Sequence, residues 1–309
     1  MKALITGAGG FVGAYLRNEL EHAGYEVACT DIIDREDIIK TDVLHSDEIR
    51  SLIEHVAPNV VFHLAAQASP ALSWEIPQKT IAINVIGAIN IMEALRGSDV
   101  RLLLVGSSDQ YGKAVATTEA LSEETPLNPR TPYAISKKAQ EDLAKTYAQA
   151  YNLAVFCTRS FNHCGPGQRT GYLVSDLCAG VVAAERGERS SIGVGNLDAI
   201  RDFTDVRDVV RAYRLIAERG IPGEIYNVGS GVSRSAKSIL EGVLKLSDTE
   251  ISIIVDPTKL RTLDIPAVYC NNHKLVNHIG WVPEIPFETT LLDTLNKHRA
   301  LSGSKEADA

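Results

Sequence analysis

Three observations predict an α/β fold, a Rossmann-type doubly wound parallel sheet with a smaller C-terminal substrate-binding region. Short runs rich in Val, Ile and Leu alternate with amphipathic stretches through the first half of the chain. Those runs are apolar on both faces, as strands buried between two helical layers are. The first run leads straight into a glycine-rich turn that opens a helix pattern, the start of a βα unit.

Strands are expected at KALIT (2–6), YEVACT (25–30), NVVFHLA (59–65), RLLLVGS (101–107) and LAVFCTRS (153–160). Helix patterns lie between them at 11–23, 46–57, 78–97 and 131–151, the last opened by Thr-Pro. Their regular alternation argues for parallel pairing. After about residue 165 the rhythm changes. GPGQRTG reads as a loop, followed by a helix (173–187), a loop and strand (191–200), a helix (206–218), the strand EIYNV (224–228) and a helix (235–245). The stretch 251–309 is mixed and rich in proline. The expected organisation is a nucleotide-binding domain over 1–165 that also receives parts of 201–228, an interleaved substrate-binding region over 166–301, and a flexible tail over 302–309 (SGSKEADA).

Charge and composition exclude several classes. With 31 basic and 39 acidic residues the formal charge is −8, and no long basic run offers a footprint for nucleic acid or an anionic membrane. No signal peptide and no apolar run long enough to span a bilayer is seen, so a cytoplasmic location is expected. The cysteines (Cys29, Cys157, Cys164, Cys178, Cys270) are odd in number and lack a CxxC, which fits a reducing compartment. The histidines form neither HxxxH nor HExxH, so no metal site is expected.

Gly7, Gly10 and Gly13 follow the first strand and open the first helix, with Phe11 and Val12 between the last two. Such glycines let the backbone approach a pyrophosphate, and the helix N-terminus supplies donors and positive potential. A plain tight turn is the bland alternative. Asp31 ends the second strand, 18 residues after Gly13, where a carboxylate can accept from the adenosine ribose hydroxyls. It would repel a 2′-phosphate, which favours NAD(H) and leaves NADP(H) possible. Asp34 competes for that role, and Asp42-Val43 follows a short third strand where it can meet the adenine.

Ser107 lies at the C-terminal end of its strand, the edge where ligands bind in such sheets. Tyr133 and Lys137 are four apart near the start of a helix, on one face. A serine, a phenol and an ammonium converging beside a nicotinamide make a hydride-transfer site. The phenol, with an ordinary pKa near ~10, is expected to be drawn toward neutrality by the ammonium. YxxxK alone is commonly a solvated helix face; the glycine turn, Asp31 and the strand-end serine carry the catalytic reading. A non-enzymatic NAD-binding module would be expected to have lost one of Ser107, Tyr133 or Lys137, and all three are present.

Taken together, GAGGFVG, HLAAQ (63–67), NVIGAIN (84–90), VGSSDQYG (105–112), YAISK, RSFNHCGPGQ (159–168), GNLDAIRDFTDVRDVV (195–210), YNVGSG (226–231) and GWVPEIPFE (280–288) resemble the extended short-chain dehydrogenases/reductases acting on nucleotide sugars. FNHCGPGQ and GNLDAIRDF are similar to the branch that handles GDP-mannose and its 4-keto-6-deoxy derivative. The resemblance implies a triad of Ser107, Tyr133 and Lys137, the last also holding the nicotinamide ribose. It implies a cofactor wall at Leu64, Ala65 and Ala66, with Asn84 supporting it. It implies substrate contacts from Ser108, Asn162, Arg201, Arg261 and Asp264, the two arginines gripping the diphosphate; the bland alternative pairs Arg201 with Asp202 or Asp205 and Arg261 with Asp264. His63, His163 and Trp281 are expected to pack.

Within that branch two reactions compete. One reduces the C4 ketone of GDP-4-dehydro-6-deoxy-D-mannose to GDP-D-rhamnose with NAD(P)H; the other is 4,6-dehydration of GDP-mannose. Dehydratases place a glutamate where Asp109 stands, after threonine where this chain has Ser107. RDFTDVRD resembles the reductase form, and the short acidic segment 31–40 lacks the longer arginine-rich stretch of the dehydratases. Reduction is the expected activity; dehydration, formation of the GDP-6-deoxy-D-talose epimer and epimerisation remain alternatives. The resemblance also implies a homodimer through helices 78–97 and 131–151.

Overall fold

The computed structural model describes residues 1–112, 119–260 and 266–307, the last six by backbone alone. Its main sheet has seven parallel strands in the order β10-β6-β5-β4-β1-β2-β3. These are β1 (Lys2–Thr6), β2 (Glu26–Asp31), β3 (Ile39–Lys40), β4 (Val60–His63), β5 (Arg101–Ser107), β6 (Val155–Ser160) and β10 (Ile225–Val228). The doubly wound fold is therefore borne out. β1 pairs with β2 on one side and β4 on the other. That reversal of strand order opens a crevice beyond the strands' C-terminal ends.

Helices cover both faces because each has one apolar stripe. Helix α1 (Phe11–His22) buries Leu16 and Leu20 and, with α8 (Val206–Arg219), packs on one face around Ile5, Phe62 and Tyr213. On the other face, α2 (Ser46–Val56) buries Ile49, Leu52, Ile53 and Val56. There it joins Ile91, Met92 and Leu95 from α5 (Gly87–Leu95) and Ala144 from α6 (Pro132–Tyr151). Thr131 caps α6 by accepting from the Ala134 N–H at 3.0 Å, Pro132 fills its first position, and Asn152 in the left-handed region (φ 54°) ends it.

The expected single helix over 78–97 is broken. After the short α3 (Leu72–Glu75), α4 (Pro77–Ile81) passes through a π-helical segment, Ala82–Ile86, into α5. The wider turn brings Asn84 inward. Its side chain accepts from the Gln67 N–H (2.8 Å) and donates to the Gln67 carbonyl (3.1 Å) and the Ser136 hydroxyl (2.8 Å).

The region beyond residue 160 has its own sheet and core. Strand β9 (Ile200–Asp205) pairs with β7 (Asn162–Cys164), β11 (Ser233–Ser235) and β13 (Ala267–Val268). Strand β8 (Ser191–Val194) pairs instead with β12 (Ser252–Val255). The expected loop and strand over 191–200 holds β8, whereas β9 begins at Ile200 and runs on through residues for which no strand was expected. Helices α7 (Leu173–Glu185), α9 (Ala236–Leu244) and α11 (Phe287–Ala307) close a separate core around Leu177, Val181, Ile239 and Leu291, while α10 (His273–Ile279) packs on the main sheet. Helical backbone continues to Ala307, through most of the segment expected as a flexible tail. Among the described residues no helix is long and apolar enough to cross a membrane, and no cluster of side chains could hold a metal ion.

Candidate active site

A cleft of about 1290 Å³ runs along the C-terminal edge of the main sheet and into the second region. It exceeds the ~300–1,000 Å³ of an ordinary single-ligand site, which leaves room for two ligands end to end. Gly7, Gly10, Phe11, Val12, Gly13, Asp31, Asp42, Val43, Leu64, Ala65 and Ala66 line one end. Ser107, Ser108, Asp109, Tyr133 and Lys137 line its middle, and Asn162 and Arg201 the far end.

The glycine turn has room only for hydrogen at two positions. A Cβ on Gly7 (φ +73°) would lie 2.6 Å from the Ala65 nitrogen, and one on Gly13 2.6 Å from the Ala8 carbonyl oxygen. Helix α1 begins with Gly10 as N-cap, with no capping side chain and no acidic residue in its first turn. Its terminal N–H groups and positive potential therefore face the cleft unopposed, a fit for a dinucleotide pyrophosphate. Asp31 accepts from the Gly9 N–H at 3.0 Å and the Ile32 N–H at 2.7 Å, which orients its carboxylate. The competing Asp34 is 86% exposed beside Lys40 and does not line the cleft.

In the middle, Ser107 ends β5 with its hydroxyl oxygen accepting from the Asp109 N–H at 3.1 Å. Tyr133 is buried. Burial raises its phenol pKa well above the ordinary value; the Asp109 carboxylate adds to the rise, and the nearby Ser107 hydroxyl works against it. This corrects the expectation that Lys137 would draw the phenol toward neutrality. The Lys137 ammonium instead donates to the Val105 carbonyl at 2.7 Å and to Gln140 Oε1 at 3.2 Å. Burial lowers its own pKa to about 8. Tyr133 therefore keeps its proton at neutral pH.

Asn84 does not line the cleft. It is buried behind the wall, where it ties the segment after β4 to α6 through Gln67 and Ser136. The bland pairing of Arg201 is also not what holds its neighbours. Asp202 accepts from the Ser230 and Gly231 N–H groups, the Ser230 hydroxyl and the Cys270 N–H. Asp205 caps α8 and binds Arg207. Arg261 and Asp264 lie outside the described residues. Trp281 packs as expected, fully buried, with its indole N–H donating to the Asp208 carbonyl at 3.0 Å. His163 bonds the Phe161 carbonyl at 3.1 Å and lines the cleft.

Some cleft residues carry no local signal. Arg169 and Tyr172 come from the GPGQRTG loop and its sequel, and Lys259 reaches the cleft by donating to the Gly193 carbonyl at 2.8 Å. Only the tertiary crossing of 193–197 with 257–259 puts that cation there, since a Cβ on Gly195 would lie 2.6 Å from the Lys259 carbonyl oxygen.

His63 is only half satisfied. Its Nδ1 meets the Thr6 hydroxyl at 2.8 Å while its buried Nε2 has no hydrogen-bond partner among the described residues. Burial, then the charge of Lys137, lower its pKa to about 3. An unfolded histidine titrates near ~6.5, so this neutral ring contributes stability that is complete above that pH and is lost as pH falls from there toward 3. His63→Gln is expected to flatten the acid side of the stability curve. Urea midpoints at about pH 7 and pH 4.5 check this; an unchanged slope would clear His63 of the role.

A family model described as GDP-mannose 4,6 dehydratase matches residues 4–294. The GDP-6-deoxy-D-mannose reductase of Pseudomonas aeruginosa is 31% identical over 293 residues, 94% of this chain and 94% of the relative. The solved structure of RMD from Pseudomonas aeruginosa complexed with NADPH superposes with a TM-score of 0.88 at 29% identity, covering 97% of this chain and 99% of that one. The Thermus thermophilus UDP-glucose 4-epimerase in complex with NAD gives 0.86 at 27% identity, with coverage of 97% and 99%.

Proposed function

Because the chain belongs to the GDP-mannose 4,6-dehydratase family of nucleotide-sugar oxidoreductases, we propose that it reduces the C4 ketone of GDP-4-dehydro-6-deoxy-D-mannose, giving GDP-D-rhamnose. One observation carries the reading. Tyr133, buried with its phenol pKa raised, lines one cleft together with Ser107, the glycine turn and Arg201. Ketone reduction needs a proton donor at that point.

A bound nicotinamide supplies the hydride. The chain does the rest. The glycine turn and the bare N-terminus of α1 hold the pyrophosphate, and Lys137, at the base of the cleft, holds the ribose. Ser107 donates to the ketone oxygen, and Tyr133 delivers its proton as the alkoxide forms. Arg201 neutralises the substrate diphosphate, with Ser108 and Asn162 on the sugar; guanidinium suits a diphosphate because its fork matches two oxygens at once.

The test is a paired assay. GDP-4-dehydro-6-deoxy-D-mannose with NADH or NADPH is expected to consume reduced nicotinamide, and GDP-mannose alone to yield no 4-keto sugar. Ketone formation in the second arm would favour dehydration. Asp109 is the observation behind that second reading, since it is the acid of the cleft that faces Tyr133. NMR of the product separates GDP-D-rhamnose from the talose epimer.

NADH is the proposed preference over NADPH, because a 2′-phosphate would meet the Asp31 carboxylate. Asp31→Ser is expected to shift the NADH/NADPH ratio of kcat/KM by about tenfold toward NADPH, equivalent to ~1.4 kcal/mol; an unmoved ratio would put the selectivity elsewhere. A homodimer is proposed through the α4–α5 and α6 face, where Ile81 (37%), Ile86 (45%) and Ile135 (49%) are exposed, with Trp74 (63%) of α3 nearby. Sedimentation equilibrium returning a monomer mass would reject it. The free, buried state of all five cysteines supports placement in the reducing cytoplasm, which cell fractionation checks.

A further inference from the structure

We propose that Gln110 is a positioning residue that locks Ser107 to the helix bearing Tyr133 and Lys137, acting through a buried ion pair, Glu141–Arg159. The inference rests on the proposed role of Ser107. Ser107 ends β5, while Tyr133 and Lys137 sit on α6, beyond the intervening segment 108–131. Chain connectivity alone does not set the serine hydroxyl against the phenol; a link across space is required.

Gln110 supplies that link. It lies in the 3₁₀ turn Ser108–Tyr111 and is fully buried. Its Oε1 accepts from the Ser107 backbone N–H at 3.0 Å, and its Nε2 donates to Glu141 Oε2 at 2.9 Å. Glu141 is one helical turn beyond Lys137, on the same face of α6. Both carboxylate oxygens are gripped by Arg159, Nε at 2.8 Å and Nη2 at 2.8 Å. Arg159 belongs to β6 and stands in register with Gly106, the residue before Ser107. Its Nη1 also donates to the Tyr111 hydroxyl at 3.1 Å, and that hydroxyl donates to Asn227 Oδ1 at 2.6 Å. Two successive residues of the turn are thus tied to one ion pair.

Two details assign this arrangement to Ser107 rather than to general stability. Arg159 alone already makes a bidentate pair with Glu141, so the pair does not need Gln110. The other end of the Gln110 amide is the backbone N–H of Ser107 itself. Gly106 makes room for it: a Cβ there would lie 2.8 Å from Gln110 Oε1 and 2.1 Å from the Thr158 carbonyl oxygen. With its N–H held by Gln110 and its Oγ accepting from Asp109 N–H, Ser107 has its hydroxyl proton aimed by the turn.

The test is a double-mutant cycle of Gln110→Met and Ser107→Ala, assayed with GDP-4-dehydro-6-deoxy-D-mannose and NADH. Methionine keeps the length and removes both hydrogen bonds. Gln110→Met is expected to lower kcat by ~10- to 100-fold with both KM values within about twofold. In the Ser107→Ala background the same change is expected to cost less than about threefold, because no hydroxyl remains to misplace. An equal loss in both backgrounds, or a loss confined to KM or melting temperature, overturns the inference. Should Gln110→Met fold poorly, Gln110→Glu gives a second readout. It rebuilds the link only when a proton is shared with Glu141, so its kcat relative to wild type is expected to rise as pH is lowered from about 8 to 6; a flat ratio counts against Gln110. A wild-type enzyme inactive on the ketosugar sinks the proposed function, whereas an active wild type without coupling sinks this inference alone.

Discussion

Tyr133→Phe is expected to reduce kcat by ~10²–10⁴-fold, the range a positioned general acid contributes. The ring is buried and its packing is kept, so melting temperature and NADH affinity should stay near wild type. Fluorescence titration with NADH and steady-state rates on the ketosugar check both halves. The raised proton affinity of Tyr133 adds a second expectation. In the reductive direction the wild-type rate should not fall between about pH 6 and 8 through loss of the phenol proton. A variant that keeps its kcat would move the proton donor to another group, with Asp109 next in line. A variant that loses NADH binding as well would show that the hydroxyl holds the cofactor.

The second large effect is on stability. Glu141→Ala leaves the Arg159 guanidinium, 4% exposed, without its bidentate carboxylate. Burial works against ionisation of Glu141, yet hydrogen bonds from Arg159 hold its carboxyl below the usual carboxylate range. Removing one partner of such a pair costs ~3–5 kcal/mol, a fall in melting temperature of roughly 10 °C for a chain of this size. Lys138→Ala breaks a pair with Asp142 whose side chains are 37% and 52% exposed, and should cost no more than ~1 kcal/mol. Replacing both buried partners together, Glu141→Leu with Arg159→Met, is expected to be milder than Glu141→Ala alone. Equal melting shifts for Glu141→Ala and Lys138→Ala would show that the buried pair has no special weight.

What the sequence disclosed follows from the range of the physics involved. The glycines at 7, 10 and 13 and the apolar strands are local patterns, so β1, α1 and the core strands were legible. So was α6, with Thr131 and Pro132 marking its start. The break in the 78–97 helix was not, because the π segment serves hydrogen bonds from Asn84 to residues distant in sequence. Strand β9 was not legible because a short strand of a small sheet is defined by its partners, and those lie at 162–164, 233–235 and 267–268. Gln110 and Glu141 become buried only when α6 lies against β5 and β6, a placement that no one-dimensional string carries. The proton affinity of Tyr133 failed for the same reason. Its dominant cause is desolvation, which no spacing of tyrosine and lysine encodes.

The junction at Asp205 has a mechanical consequence. Strand β9, which carries Arg201, ends at Asp205, and α8, which packs with α1 on one face of the main sheet, begins at Val206. No linker separates them. Asp205 is further clamped by the Arg207 backbone and side chain and by the Thr290 hydroxyl of α11 at 2.7 Å. Hinges work by letting a few terminal residues absorb large dihedral changes, and this crossing is denied that freedom. The span between the proposed diphosphate grip at Arg201 and the proposed hydride site at Tyr133 is thus set like the jaw of a fixed spanner. It should measure the same with the cleft empty or filled, so ligands must enter and leave by movement of the rim.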